Sequence, residues 1–256
     1  MSDALAGKHA MVTGGGRGIG AAIARSLAAE GARVTLLGRT ASQLTETARS
    51  IPGGAATVTA DVTDPEQVGR ALLEARAANG EIQILVNNAG KPASRAIAKS
   101  DFHFWRDMLA VNLDGVYHMT RAVIPGMIAG EWGRIVNVSS TAGLRGYAYC
   151  TAYCAAKHGV IGLTRALALE VSKTGITVNA VCPGYTDTGV VRDAVQNISE
   201  KTGRSAADAR ETLVSFNPQQ RLVQPEEVAN AVLWLCRPGS ESINGQSIAI
   251  AGGEVT

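Results

Sequence analysis

Aromatic residues are scarce in this sequence, at 4% of 256 residues, whereas hydrophobic residues make up 46%. The core must therefore consist mainly of Ala, Val, Ile and Leu, which suits helices packed closely on a parallel sheet. A chain of this length can bury one large core, and no low-complexity linker interrupts the sequence. We therefore expect a single domain over residues 1–256.

The sequence also lacks an excess of charge of either sign, since 24 Lys and Arg stand against 22 Asp and Glu. No basic stretch is dense enough for a nucleic-acid groove, so nucleic acid is not an expected partner. No apolar run reaches the about 18 residues that a membrane span needs. Residues 1–16 also lack a basic segment followed by an apolar one. These absences predict a cytoplasmic protein with no membrane partner.

Cysteine is rare as well, with four residues at irregular spacing: Cys150, Cys154, Cys182 and Cys236. They are too few for a disulfide framework in a chain of this length, so reduced thiols are expected. Cys150 and Cys154 would share a helix face, but a zinc site needs about four ligands and no second His or Cys pair accompanies them. We expect no metal and interpret these cysteines as packing residues.

Strand-like apolar runs alternate with helix-period segments along most of the chain. Strands are predicted at 9–13, 33–37, 56–60, 82–87, 134–139, 177–182 and about 246–250. Helices are predicted at 19–30, 65–78, 101–129 and 152–172 and from residue 225. The alternation indicates an α/β Rossmann fold, a doubly wound parallel sheet with helices on both faces. Residues 184–222 are polar and leave this rhythm, which is typical of a substrate lid.

A glycine-rich turn, Thr13–Gly20, joins the first predicted strand to the first helix. Gly14, Gly18 and Gly20 would let the backbone approach a pyrophosphate, and the helix N-terminus would face that anion. Arg17 and Ile19 lie between these glycines and belong to the same predicted cofactor site.

The second strand ends in Leu37-Gly38-Arg39, without the Asp or Glu that usually binds the ribose 2′-hydroxyl of NAD. Arg39 offers a guanidinium fork to a 2′-phosphate, and Arg17 adds a second cation nearby. The sequence therefore favours NADP(H) over NAD(H). The alternative is that Arg39 is only a solvated charge at the strand end.

Tyr153 and Lys157 are four residues apart and would share a helix face, so the ammonium can favour the anionic form of the phenol. Ser140 follows the strand predicted at 134–139, at the edge where ligands meet an open α/β sheet. The three side chains can thus converge on one reacting atom.

These motifs together resemble the classical short-chain dehydrogenase/reductase family over essentially the whole chain. The resemblance is closest in pattern to β-ketoacyl and polyketide ketoreductases and 3-hydroxyacyl-CoA dehydrogenases. The matching residues are Thr13–Gly20, Asp61-Val62, Asn87-Asn88-Ala89-Gly90, Asn112, Ser140, Tyr153 to Lys157, and Pro183-Gly184 with Thr188. Ala251 departs from the pattern, since an Asp is common at that position.

The resemblance implies a role for each matching position. Asp61 and Val62 would bracket the adenine, and Asn88 and Gly90 would line the cofactor cleft. The nicotinamide would be covered by Pro183, Gly184, Thr186 and Thr188. The implied catalytic set is Asn112, Ser140, Tyr153 and Lys157.

In the implied mechanism Tyr153 exchanges a proton with the substrate oxygen while the nicotinamide carries the hydride. Lys157 would lower the pKa of Tyr153 from its usual value of about 10 and hold the nicotinamide ribose. Ser140 would hydrogen-bond the substrate oxygen. Asn112 would hold a water that relays protons through Lys157.

Residues 133–184 resemble ketoreductases that act on β-ketoacyl thioesters and polyketides. Beside Ser140 and Tyr153, the pocket edge would come from Leu144, Tyr147, Tyr149 and the Val190–Phe216 part of the lid, which suits a bulky acyl or cyclic ketone. Tyr147 and Tyr149 could equally be surface loop anchors. The predicted helices at 101–129 and 152–172 resemble those through which the family forms homotetramers.

Three other functions compete with this interpretation. One is an NAD-dependent 3-hydroxyacyl-CoA or other secondary-alcohol dehydrogenase. A second is a non-catalytic NADP-sensing regulator, which would be expected to have lost Ser140, Tyr153 or Lys157. The third is a lyase resembling halohydrin dehalogenases, which replace the lysine and spoil the glycine turn. All of these residues are present here.

Overall fold

The computed structural model describes residues 3–255, apart from the side chain of Lys201. Its strands are β1 His9–Thr13, β2 Arg33–Gly38, β3 Ala56–Thr59, β4 Ile84–Asn87, β5 Gly133–Val138, β6 Ile176–Pro183 and β7 Ser247–Ile250. Its helices are α1 Gly18–Ala29, α2 Ala41–Arg49, α3 Pro65–Asn79, α4 Phe102–Leu109, α5 Gly115–Ala129, α6 Thr151–Glu170, α7 Gly189–Thr202, α8 Ala206–Val214 and α9 Pro225–Cys236.

The strands form one parallel sheet in the order β3-β2-β1-β4-β5-β6-β7. The chain winds outward from β1 in one direction through β3, then returns and winds outward in the other direction from β4. Ligands of such sheets bind where the order reverses, outside the carboxyl ends of the strands. The predicted doubly wound α/β fold is confirmed, and it places the site beyond Thr13 and Asn87.

Alternate residues along each strand enter two separate cores, because successive side chains of a strand point to opposite faces. Val12 and Leu36 pack with α1, α2 and α9 on one face. Met11 and Leu37 pack with α3, α5 and α6 on the other. Both faces of the sheet are therefore covered by helices, as the apolar strand sequences predicted.

Helix α3 shows how local sequence sets an element boundary. The Asp64 Oδ1 atom accepts hydrogen bonds from the backbone nitrogens of Glu66 at 2.9 Å and Gln67 at 3.1 Å. Pro65 occupies the first helical position, where its missing N–H costs nothing. This cap begins the helix at the residue predicted from the sequence.

The long helix predicted over 101–129 is wrong in one respect, because a π-helical turn at Ala110–Asp114 separates α4 from α5. The Asn112 side-chain amide donates to the Met108 carbonyl at 3.0 Å and to the Lys91 carbonyl at 3.1 Å. The side chain thus competes with the backbone for a helical acceptor and ties the turn to the loop after β4. Such turns are frequent at functional sites.

Helix α2 has no counterpart among the predicted elements. Its sequence is polar, and only Leu44 and Thr47 are buried, so it lacks a broad apolar face. The segment 184–222 contains α7 and α8, whose residues Val191 and Leu213 form a small core of their own with Leu222. Within residues 3–255, none of the helices combines the length and apolarity required to cross a bilayer.

Candidate active site

The carboxyl ends of β5 and β6 and the first two turns of α6 meet at one point of the sheet edge. Ser140 comes two residues after the end of β5, and its Oγ atom accepts a hydrogen bond from the Ala142 backbone at 3.1 Å. Helix α6 begins at Thr151 and carries Tyr153 and Lys157 one turn apart. The fold therefore brings together the serine, tyrosine and lysine that the sequence singled out.

Tyr153 is partly buried, and burial raises the pKa of its phenol to about 12, against the opposing effect of a hydrogen bond with Ser140. The hydroxyl is therefore protonated at neutral pH in the protein without cofactor. A protonated phenol beside a serine hydroxyl can donate a proton to a substrate oxygen. To act as a base instead, Tyr153 needs positive charge nearby to lower its pKa.

Lys157 is predicted to lower the pKa of Tyr153, but in the structure burial dominates and that pKa is raised. The lysine side chain is buried, its Nζ atom lies 5.8 Å from the centroid of the Tyr153 ring, and it donates to the Val138 carbonyl at 2.9 Å. Burial lowers the pKa of Lys157 to about 8. The Lys157 ammonium is thus close to the Tyr153 phenol, and its hydrogen bond is made to Val138, the last residue of β5.

Asn112 and Gly90 complete this part of the site. Asn112 is fully buried, and its Oδ1 atom accepts a hydrogen bond from the Lys91 backbone at 3.1 Å. A Cβ atom added to Gly90 would lie 2.8 Å from Asn112 Oδ1 and 3.6 Å from Lys157 Nζ. The glycine therefore leaves open a small space between the asparagine and the lysine.

The glycine turn has the conformation that dinucleotide phosphates require. Gly14 and Gly18 have positive φ angles of 63° and 53°, which side chains of L-residues rarely adopt. The buried Gly20 has no room for a side chain, since a Cβ atom there would lie 2.3 Å from the Gly14 carbonyl oxygen. The turn then enters α1, whose first backbone amides face the cleft.

Asn88 holds this turn to the end of β4. Its Nδ2 atom donates to the Thr13 carbonyl at 2.9 Å and to the Gly14 carbonyl at 3.2 Å. The Thr13 hydroxyl in turn accepts from the Asn88 and Ala89 backbone nitrogens. Asn88 lies at the predicted cofactor cleft, and its side-chain amide holds the glycine turn in place through these two hydrogen bonds.

Arg17 and Ile19 point in different directions from the turn. Arg17 is exposed at the N-cap of α1, and Ile19 packs partly buried against the core. Arg17 is therefore available to an anion at this helix terminus, whereas the Ile19 side chain anchors the turn.

Arg39 and Asp61 pair with each other at the ends of β2 and β3. Arg39 Nη1 lies 3.6 Å from Asp61 Oδ2, and the arginine side chain is 70% exposed. Asp61 Oδ1 accepts from the Thr63 backbone and hydroxyl, which fixes the carboxylate. The buried Val62 packs on α5, because a Cβ atom on Gly115 would lie 2.6 Å from Val62 Cγ2. The sequence treated these positions separately and missed the ion pair.

The segment after β6 folds back over the glycine turn. Thr186 is buried and donates to the Gly184 carbonyl at 3.0 Å, and Thr188 donates to the Thr186 carbonyl at 3.3 Å. A Cβ atom on Gly18 would lie 3.2 Å from Thr188 Cγ2. Pro183 ends β6 and directs this segment towards the turn. These residues can cover a nicotinamide bound between the two segments.

The three predicted pocket-edge residues have different surroundings. Leu144 is partly buried after Ser140. The Tyr147 hydroxyl lies 2.8 Å from the Thr141 hydroxyl and donates to the Glu254 carboxylate. Tyr149 has a positive φ of 67° and is 67% exposed, so the structure directs it to the surface.

Sequence reasoning missed Tyr185 and Glu254 near this edge, whereas Phe216 belongs to the predicted lid. Phe216, at the end of α8, contacts the rings of Tyr147 and Tyr185, with centroid distances of 6.0 Å and 5.5 Å. Glu254 is buried among them. Its only signal in the sequence is that it is an acid in an otherwise small and apolar ending, AGGEVT.

A dinucleotide turn at the switch point of the sheet, with Ser140, Tyr153 and Lys157 on the same edge, defines the class of NAD(P)-dependent oxidoreductases. The family profile described as short chain dehydrogenase matches residues 8–199. The chain belongs to this family, and its activity is on CH–OH and C=O groups. The resemblance found in the sequence is confirmed. Within residues 3–255, no group of three or more His, Cys, Asp and Glu side chains could hold a metal.

Similar proteins include both reductases and a dehydrogenase. A putative ketoacyl reductase of the granaticin polyketide synthase of Streptomyces violaceoruber is 38% identical over 95% of this chain and 92% of its own. A D-beta-hydroxybutyrate dehydrogenase of Cupriavidus necator is 36% identical over 98% of this chain and 99% of its own. A crystal structure of an actinorhodin polyketide ketoreductase variant with NADPH superposes with a TM-score of 0.94, at 37% identity over 99% of both chains.

Proposed function

We propose that this enzyme uses NADPH to reduce the ketone of a β-ketoacyl thioester, a polyketide-like chain or a cyclic ketone to a secondary alcohol. The observation that carries the proposal is the hydrogen bond between Ser140 and Tyr153 at the end of β5, with buried Lys157 behind the phenol. This arrangement offers two hydroxyl groups to one substrate oxygen.

Each side chain has a separate task in this reaction. Ser140 orients the substrate oxygen and stabilises the negative charge that develops on it. Tyr153 donates its proton to that oxygen. The Lys157 ammonium then stabilises the negative charge that is left on the phenol oxygen. Asn112 lies near Lys157, across Gly90, and would hold a water that relays protons through Lys157. The cofactor, when bound, supplies the hydride.

The residues present fit a bound dinucleotide. Gly14, Gly18 and Gly20 leave a cradle without side chains at the turn, and Gly90 keeps the space beside Lys157 open. Arg17 and Arg39 stand at the end of the site where the adenosine phosphate groups would lie. Asp61 and Val62 would bracket the adenine, and Thr186 and Thr188 would cover the nicotinamide.

The substrate class is supported by the relatives and by the cleft. The granaticin and actinorhodin proteins are described as ketoreductases, and a 3-oxoacyl-acyl-carrier-protein reductase of Pseudomonas aeruginosa is 37% identical over 97% of this chain and 98% of its own. Leu144, Tyr147 and Phe216 supply apolar surface beside the hydroxyl pair, which suits a bulky ketone. The hydroxybutyrate dehydrogenase relative favours, as a second candidate, oxidation of a secondary alcohol with NAD.

NADPH consumption with a panel of ketones tests this proposal. We expect the purified protein to oxidise NADPH with a β-ketoacyl thioester or a bicyclic ketone. A quinone and a simple aldehyde serve as comparison substrates, and formation of the secondary alcohol is checked by mass spectrometry. Oxidation of hydroxybutyrate with NAD, without reduction of any ketone in the panel, would replace the proposal by the second candidate.

The preference for NADP(H) rests on Arg39. Its ion pair with Asp61 is exposed, and such pairs contribute at most about 1 kcal/mol, so the guanidinium can turn to a 2′-phosphate at small cost. We expect Arg39→Ala to lower kcat/KM for NADPH about 10- to 100-fold, because one hydrogen bond to a charged group is lost. The kcat/KM for NADH should stay unchanged. Steady-state kinetics with both cofactors measures this.

Arg49→Ala is the matched control for this change, because Arg49 is an exposed arginine at the end of the adjacent α2. It should leave kinetics with both cofactors unchanged. An equal loss for NADPH and NADH in Arg39→Ala would show that Arg39 supports the fold and not the 2′-phosphate.

The lid, the assembly and the location belong to the same proposal. Residues 184–222, with α7 and α8, would close over the substrate. A homotetramer is supported by exposed apolar side chains on α5 and α6, namely Tyr117, Ile128 and Leu169. A cytoplasmic enzyme acting on a small-molecule substrate is consistent with these features.

A further inference from the structure

A buried carboxyl group lies beside the proposed substrate cleft and has no role in the mechanism above. Glu254 is 9% exposed, and its Oε1 atom accepts the hydrogen bond of Tyr147. Its second oxygen, Oε2, is buried and has no hydrogen-bond partner among residues 3–255. A buried carboxylate oxygen without a partner is costly and is rare in native proteins, so it calls for an explanation.

The surroundings of Glu254 belong to the cleft. The Oε2 atom would lie 2.9 Å from a Cβ atom on Gly184, in the segment proposed to cover the nicotinamide. The Tyr147 ring connects Glu254 to Phe216, and Tyr147 also contacts the Thr141 hydroxyl next to Ser140. The Oε2 atom thus lies beside the segment that follows β6, and the other carboxylate oxygen is bonded to Tyr147.

The charged and titratable groups around Glu254 do not satisfy Oε2. Arg145 donates to the Glu254 backbone carbonyl at 3.3 Å, and its guanidinium lies 5.1 Å from the centroid of the Tyr147 ring. Burial raises the pKa of Glu254, although the Tyr147 hydrogen bond and the Arg145 charge act in the opposite direction. A hydrogen-bond donor that reaches Oε2 would therefore stabilise the buried group.

We propose that Glu254 determines substrate specificity, because its Oε2 atom accepts a hydrogen bond from a hydroxyl group on the substrate, remote from the reacting ketone. The preferred substrates are then ketones that carry an alcohol, phenol or enol on the part of the molecule that extends past Gly184. Phe216 belongs to the lid segment and packs on the Tyr147 ring, so a movement of that segment would open the region beside Glu254 to the group. This inference rests on the proposed ketone reduction.

Sites built to hydrogen-bond a substrate hydroxyl discriminate strongly against analogues that lack it, since the protein group is then left unpaired. A hydrogen bond to a charged group is worth about 1.5–3 kcal/mol, which corresponds to a preference of about tenfold or more. The preference should appear mainly in KM, because the hydroxyl is remote from the reacting atoms.

The test compares a bicyclic ketone with the same ketone carrying a hydroxyl on the distal ring. We expect the wild-type protein with NADPH to prefer the hydroxylated ketone by about tenfold in kcat/KM. Glu254→Met should abolish the preference by raising KM for the hydroxylated ketone. The kcat for both ketones and the KM for the plain ketone should stay unchanged. Glu254→Gln retains a carbonyl acceptor of the same size and should restore part of the preference.

Two further variants separate specificity from folding. Tyr147→Phe keeps the ring but removes the hydroxyl that orients the carboxylate, so it should weaken the preference for the hydroxylated ketone. Glu226→Met, on the exposed side of α9, should leave both substrates unchanged.

Three outcomes would overturn the inference. If the wild-type protein reduces both ketones equally well, the inference about Glu254 is wrong, but the proposed function stands. Equal losses on both ketones in Glu254→Met and Glu254→Gln would show that Glu254 only supports the fold. If the wild-type protein neither reduces nor binds either ketone, the proposed function fails, and this inference fails with it.

Discussion

Replacement of Tyr153 by Phe is expected to lower kcat by about 10²- to 10⁴-fold, the usual contribution of a positioned acid or base. The phenylalanine ring fills the same space, so binding of NADPH and the free energy of unfolding should change little. The loss is chemical, because Ser140 alone cannot deliver a proton to the substrate oxygen. Steady-state turnover, together with an NADPH titration followed by fluorescence, measures both parts of this expectation.

The pH dependence provides an independent readout of the same residue. Since burial raises the pKa of Tyr153 to about 12, the acid form needed for reduction is present throughout the neutral range. Oxidation of the alcohol needs the phenolate, so its rate should rise with pH. Tyr153→Phe should lack this rise. Tyr149→Phe, on an exposed tyrosine, is the control and should keep the wild-type profile. Near-normal turnover of Tyr153→Phe would contradict the proposed mechanism.

The second large effect is expected at the glycine turn. In Gly20→Ala the new Cβ atom would lie 2.3 Å from the Gly14 carbonyl oxygen and 2.5 Å from Asn88 Nδ2. Neither group moves freely, because Asn88 is bonded to the backbone of Thr13 and Gly14. We expect a loss of about 1–3 kcal/mol in the free energy of unfolding, and a larger relative loss of NADPH affinity because the turn forms the phosphate cradle.

Gly69→Ala provides the matched control for that prediction. Gly69 lies within α3, and among residues 3–255 no atom outside the neighbouring helix backbone would lie within 4 Å of a Cβ atom there. Alanine in a helix interior is about 0.5–1 kcal/mol more favourable than glycine, so this variant should be slightly more stable and bind NADPH normally. Denaturant unfolding and NADPH titration compare the two variants. Wild-type NADPH affinity in Gly20→Ala would contradict the assigned role of the turn.

The elements that were predicted well are those whose signal lies within a few neighbouring residues. Strand β1 occupies His9–Thr13 as predicted, because a short apolar run before a glycine-rich turn has few other solutions in a parallel sheet. Asp64 and Pro65 likewise begin α3 by local hydrogen bonding and backbone geometry.

The elements that were missed depend on contacts between distant parts of the chain. The π-helical turn around Asn112 is indistinguishable from a regular helix by apolar periodicity, and it depends on bonds to Lys91, 21 residues away. Helix α2 was missed because it packs through a narrow apolar strip and is otherwise polar.

The alternation of strands and helices, the glycine turn, and the spacing of Tyr153 and Lys157 can be predicted from sequence, because these are local patterns of apolarity, size and residue type. Which distant side chains meet is known only from the folded chain. Tyr147 and Glu254 are 107 residues apart, yet they share a hydrogen bond beside the cleft, and Arg39 pairs with Asp61 across two strand ends. Periodicity tells which face of an element is buried, but the partner on that face is chosen by packing and strand order.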